Sequence, residues 1–136
     1  MPLRFDLGPF EKLFIGKSVI TNNGNRSMFV VEGDAPILRA RDVLSAEEAV
    51  NAVKKLYRCI QQMYLEEDID KYRKPYVAFL AASISEGLAS ASALEEVNRL
   101  VARRDLYKAL QALKITVKSA TVDAKPYGSV KRFAAR

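Results

Sequence analysis

The sequence predicts an α+β protein in one domain of 136 residues: a small N-terminal antiparallel β-sheet over 1–44, a three-helix part over 45–117 and a basic tail over 118–136. Three observations lead there. Up to Leu44, short apolar and β-branched runs are separated by Asn, Gly and Pro, as strands and tight turns require. From Ser45 the apolar residues recur at helical spacing, and from Ser119 no periodicity remains.

The first strand is read over Leu3–Leu7, where Leu3, Phe5 and Leu7 alternate with Arg4 and Asp6, and Pro9 closes it. Further strands follow near 12–15, 18–21, 26–32 and 37–41. Gly16-Lys17 and Gly33 to Pro36 provide turns, and Asn23-Gly24 supplies the positive φ angles of a two-residue hairpin. The run Met28-Phe29-Val30-Val31 does not alternate, so both of its faces need cover. Helices or a second subunit must provide it, and a homodimer built through this sheet is expected.

Ser45-Ala46-Glu47-Glu48 has the form of a capping box and predicts a helix from there to about Glu66, with Ala49, Val53, Leu56, Ile60 and Met63 inward and Val50, Tyr57 and Tyr64 alongside. Pro75 suits the first turn of a second helix that ends at Gly87, with Tyr76, Phe79, Leu80 and Ile84 as its larger apolar residues. Ser92-Ala93-Leu94-Glu95 opens a third, carrying Val97, Leu100, Tyr107, Leu110 and Leu113 to near Val117.

Composition narrows the function. There is no histidine and a single cysteine, so Ser-His-Asp and Cys-His catalysis, His-ligated zinc and thiolate zinc clusters are excluded. No glycine-rich phosphate loop is present, and neither an enzymatic role nor a cofactor is expected. With no basic-plus-apolar leader and no long apolar run, a cytoplasmic protein off the membrane is expected. The net charge is +6, of which the tail contributes +4, and the pI near 9.5 points to an acidic partner such as nucleic acid.

Each candidate constellation has two readings. Glu66, Glu67, Asp68 and Asp70 could hold a hard cation but lack the EF-hand offsets, and read better as a solvated connection. Cys59, beside the first helical stripe, is a small hydrophobe or a reactive thiol. Tyr57, Tyr64, Tyr72, Tyr76 and Tyr107 could stack bases, but at helical spacing they read as core. Arg4, Arg39 and Arg41 fall on short terminal strands, where planar guanidinium donors suit phosphate and base edges. Residues 39 and 41 would share a face, with Lys12 and Arg26 as further phosphate contacts.

Leu7-Gly8-Pro9-Phe10-Glu11-Lys12-Leu13-Phe14-Ile15-Gly16, Ile37-Leu38-Arg39-Ala40-Arg41-Asp42-Val43-Leu44 and Leu56-Tyr57-Arg58-Cys59-Ile60-Gln61-Gln62-Met63-Tyr64 together resemble the flagellar biosynthesis repressor family FlbT. Phe10 stands where that family usually has Gly, and Ile15-Gly16 where Asn-Gly is common. The resemblance implies a post-transcriptional regulator of flagellum biogenesis that binds the 5′ untranslated region of flagellin mRNA and represses translation or promotes decay. The order Glu11, Leu13, Ile15-Gly16, Ala35-Pro36, Arg41 is also similar to the carbon storage regulator family CsrA, dimeric β proteins that repress translation at messenger leaders. That likeness implies RNA contacts from Arg41 and, more loosely, from Arg4. A competing reading is an adaptor or chaperone of flagellin or another flagellar assembly factor, supported by the small residues from Ala81 to Ala93, with RNA association indirect.

Overall fold

The computed structural model describes residues 2–124, excluding the side chains of 118–124; the expected tail lies, from Lys125 on, outside the described residues. The architecture is α+β: strands β1 (Leu3–Leu7), β2 (Lys12–Ile15), β3 (Ser18–Thr21), β4 (Ser27–Val31) and β5 (Ile37–Arg39) precede helices α1 (Ala52–Glu66), α2 (Arg73–Glu86), α3 (Ala91–Ala102) and α4 (Leu106–Ala124). All pairings are antiparallel, but they form two small sheets instead of one: a β1–β4 ribbon and a three-stranded sheet of order β3-β2-β5.

The hairpin lies at Gly16-Lys17, where Gly16 takes a φ of 56° and joins β2 to β3 with Ile15 opposite Ser18. Asn23-Gly24 makes no hairpin, because β4 leaves β3 and crosses to β1, and neither residue has positive φ. The buried Asn22 side chain directs that crossing. Its amide donates toward the carbonyls of Leu7, Gly8 and Asn25 at 3.0, 2.9 and 2.8 Å, tying the end of β1 to the exit of β3. Phe10 takes a φ of 62°, left-handed backbone that glycine adopts freely, so the turn the family resemblance places there is kept with a strained residue.

The fifth strand stops at Arg39, and Ala40–Asp42 form a 3-10 turn, so Arg41 stands on a turn and not on a strand. The Ser45 capping box forms in full: the Ser45 amide donates to Glu48 Oε1 and the Glu48 amide to Ser45 Oγ. It closes only a turn. Helix α1 begins at Ala52 behind a second cap, Asn51, whose Oδ1 accepts from the Lys54 amide at 2.9 Å. Val50 therefore lies before the helix and is exposed. Likewise Ser90, not Ser92, caps α3 by accepting from the Ala93 amide.

The expected third helix is two, giving four in all. Arg104, at a φ of 64°, breaks it, with the Asp105 amide donating to the Leu100 carbonyl and the Arg104 amide to that of Val101. Leu94, Val97 and Leu100 of the first segment and Leu110 and Leu113 of the second stay inward, while Tyr107 and Ile115 are exposed, and α4 continues past the expected end near Val117 to Ala124. Pro75 and Gly87 take the places expected of them, in the first turn of α2 and at its left-handed cap.

The core lies along α1. Val53, Leu56, Ile60 and Met63 are fully buried with Leu38 and Leu44 from the sheet side, Leu94 and Val97 from α3, and Leu110 and Leu113 from α4. At about 1.5–3 kcal/mol for each large apolar side chain, this cluster dominates the stabilisation. Tyr57 and Tyr76 join it, while Tyr107 is exposed, contrary to its core assignment, and Ile84 is exposed as well. On β4 the outer residues Met28 and Val30 remain 62% and 57% exposed.

Candidate functional site

Local structure accounts for the position of Arg39 and Arg41. Leu38 and Ala40 alternate inward and are buried, which turns Arg39 outward at the end of β5 and leaves Arg41 exposed on the turn. The turn is held from below. Asp42 is buried and paired with Lys114 of α4, and the Tyr57 hydroxyl donates to the Asp42 carbonyl at 2.5 Å. Burial, with the Asp42 carboxylate nearby, pushes the Tyr57 hydroxyl far above its ordinary value, so it stays a neutral donor.

The two arginines line one groove of about 430 Å³ together with Phe5, Ile37, Tyr64 and Tyr107. The Arg39 guanidinium lies 4.9 Å over the Phe5 ring, which joins the ribbon to the three-stranded sheet by a cation–π contact. The Tyr64 and Tyr107 rings are 5.9 Å apart and tilted by 45°. Tyr64 is fixed from its polar end, its hydroxyl accepting from the Ile37 amide at 3.3 Å, and burial raises its pKa. Tyr107 is 46% exposed at the first turn of α4. The groove thus combines guanidinium donors with aromatic faces, the combination that holds phosphates and unpaired bases.

The other candidates lie elsewhere. Arg4 pairs with Val30 on the ribbon face opposite to Phe5, so it points away from this groove. Arg26 is held in an exposed ion pair with Asp6 at 3.0 Å. Lys12 donates to Thr21 Oγ1 across β2 and β3 at 2.9 Å. Helical spacing reads Tyr107 as core, and the break at Arg104 that places it in the first turn of α4 is not announced by the sequence.

The remaining constellations resolve structurally. Glu66 accepts from Tyr72, Lys71 and Gln62, and these bonds, that of Tyr72 foremost, hold its carboxyl down to about 2. Asp68 accepts from the Lys71 amide, and Asp70 pairs with Arg73. Among the described residues no group of three or more His, Cys, Asp or Glu is placed to hold a metal ion. Cys59 is buried, its thiol raised to about 11 by desolvation, which suits packing and opposes thiolate chemistry. Among the described residues no helix is long and apolar enough to cross a membrane.

The family pattern described as "Flagellar protein FlbT" matches residues 3–120. A protein of Rhodopseudomonas palustris named probable flagellum biosynthesis repressor protein FlbT is 43% identical over 118 residues, covering 87% of this chain and 94% of the relative. A Bradyrhizobium diazoefficiens protein, probable flagellum biosynthesis repressor protein FlbT 1, is 33% identical over 82% of this chain and 77% of its own length. The flagellum biosynthesis repressor protein FlbT of Caulobacter vibrioides is 30% identical over 67 residues, about half of each chain. No solved structure matches. With the match running from the first strand into the last helix, through the Arg39 to Asp42 turn and its supporting residues, the chain belongs to the FlbT family of flagellar proteins.

Proposed function

We propose that this protein is a non-enzymatic regulator of flagellum biogenesis that binds the 5′ leader of flagellin mRNA and represses its translation or promotes its decay. The reading is carried by one observation: Arg39 and Arg41 line a single groove with Phe5, Tyr64 and Tyr107. Arginine forks donate to phosphate oxygens or to acceptors on a base edge, and tyrosine faces stack on an unpaired base. Lys12 and Arg26, outside this groove, serve as secondary phosphate contacts, whereas Arg4 falls on the ribbon face of Met28 and Val30, away from it. The repressor names of the relatives support the same direction.

The protein acts as a homodimer through its N-terminal strands. Met28 and Val30 lie on the outer face of a two-stranded ribbon, and a second copy covers what the helices leave open.

A second reading has its own support. Val77, Ala81 and Ile84 fall at helical spacing along α2, Leu88 follows its cap, and all four are exposed. Such a stripe suits an adaptor that docks flagellin or another flagellar assembly factor and reaches RNA indirectly.

The deciding experiment is salt-dependent binding of the purified protein to a flagellin leader, with an unrelated RNA as control. Direct action requires tighter binding to the leader, with a log–log salt slope of roughly −3 for four or five phosphate contacts to single-stranded RNA. No binding to either RNA would transfer the assignment to the adaptor.

A further inference from the structure

A second groove, on another face of α1, contains cations that the Arg39–Arg41 site does not use. It has a volume of about 670 Å³ and lies between the β2–β3 hairpin, the turn after Val43 and the stripe Arg58, Gln62, Leu65 of α1. Phe14 and Val19, direct cross-strand partners, contribute its apolar side, and Val19 is nearly half exposed. Lys17, at the hairpin tip, and Arg58 contribute positive charge.

The Arg58 side chain is the unusual feature. Its Nε–H is buried and has no hydrogen-bond acceptor among the described residues, although buried donors in folded proteins are almost always paired. No carboxylate neutralises it within ion-pair distance among the described residues. Glu66, at one end of the groove, is already engaged by Tyr72, Lys71 and Gln62. That leaves Glu47 as the other acidic residue lining the groove. Lys54, one turn before Arg58 on α1, is itself buried and adds positive potential, moderated by Glu48.

We propose that this groove binds one unpaired nucleotide of single-stranded RNA, with the phosphate on Arg58 and Lys17 and the base against Phe14 and Val19. The inference rests on the RNA reading above and adds a second contact point to it.

The test titrates the full chain with adenosine 5′-monophosphate, following the amide resonances of Lys17–Val19 and the Nε–H of Arg58. Both sets should shift together, and Lys17→Gln should weaken the binding roughly fivefold, as loss of one exposed charge contact does. With the flagellin leader, Lys17→Gln and Arg58→Gln should each reduce the salt slope by about 0.7. If Arg58→Gln does not fold, the nucleotide shifts and the exposed Lys17→Gln decide. Absence of nucleotide-induced shifts at the groove overturns the inference whatever the leader does. So do shifts produced by a poly-glutamate peptide and not by the nucleotide, which would mark a protein-binding groove. Nucleotide shifts in a protein that does not bind the leader would retain the groove and remove the leader reading, so the two failures are distinguishable.

Discussion

Arg41 stands on a 3-10 turn with its backbone fixed by Asp42 beneath it, so its side chain is exposed while its anchor is buried. Arg41→Ala should therefore leave the melting temperature nearly unchanged and alter RNA binding alone. A pure phosphate contact would lower the salt slope by about 0.7. A base contact would cost roughly 1–3 kcal/mol, extrapolating from base readout in DNA, and relax discrimination between leaders. Unchanged affinity, slope and discrimination in the folded variant would favour the adaptor. Phe10 is a case of strain: it is exposed, at a φ of 62°. Relief of about 1–2 kcal/mol from left-handed backbone, offset by about 0.5–1 kcal/mol of glycine entropy, predicts that Phe10→Gly raises stability by about 0.5–1 kcal/mol in chemical denaturation.

Among elements, the junction most dependent on one side chain is that between the ribbon and the three-stranded sheet. Asn22→Ala removes a buried donor shared by three carbonyls and leaves them desolvated, so a loss of about 2–3 kcal/mol is expected. Amide exchange should accelerate in β1 and β4 more than in α1. If protection falls equally everywhere, the ribbon is not a separate element. At the other end of α1, Glu66 joins the helix to Lys71 and Tyr72. Its carboxyl sits near 2 against an ordinary 4.5, so the unfolded chain binds the extra proton between those values. The contribution of Glu66 is present above about pH 5 and is lost as pH falls through about 2. Glu66→Gln should then be destabilised by about 1 kcal/mol at neutral pH, with the difference from the parent vanishing toward pH 2.

For the whole molecule the expected consequence is association. Light scattering should give a dimer at micromolar concentration, and Met28→Lys with Val30→Lys, on the outer ribbon face, should yield a monomer with an intact helical core. A stable parent monomer would show that the exposed ribbon face is tolerated as it stands.

Strand identity, the helical second half, Pro75 and Gly87, and the apolar stripes of α1, α3 and α4 were legible in the sequence because each depends on local chemistry or on a periodicity that neighbours preserve. The same locality explains the Ser45 capping box, which formed its own hydrogen bonds without extending into a helix, since propagation needed the burial that begins at Ala52. The break at Arg104 was not legible, because it lacks the glycine that usually marks such a cap and the apolar spacing runs through it. Strand partnership was decided only by tertiary structure. Asn23-Gly24 has the composition of a hairpin, but the Asn22 amide and the burial of Leu7 carry β4 across to β1 instead. The candidate site follows the same division. Arginine chemistry was visible in the residues, whereas bringing Arg39 and Arg41 beside Phe5, Tyr64 and Tyr107 needed four segments distant in sequence, β1, β5 with its turn, α1 and α4, to meet. So did the enclosure of Arg58, because burial and the loss of hydrogen-bond partners are properties of packing and not of any single segment.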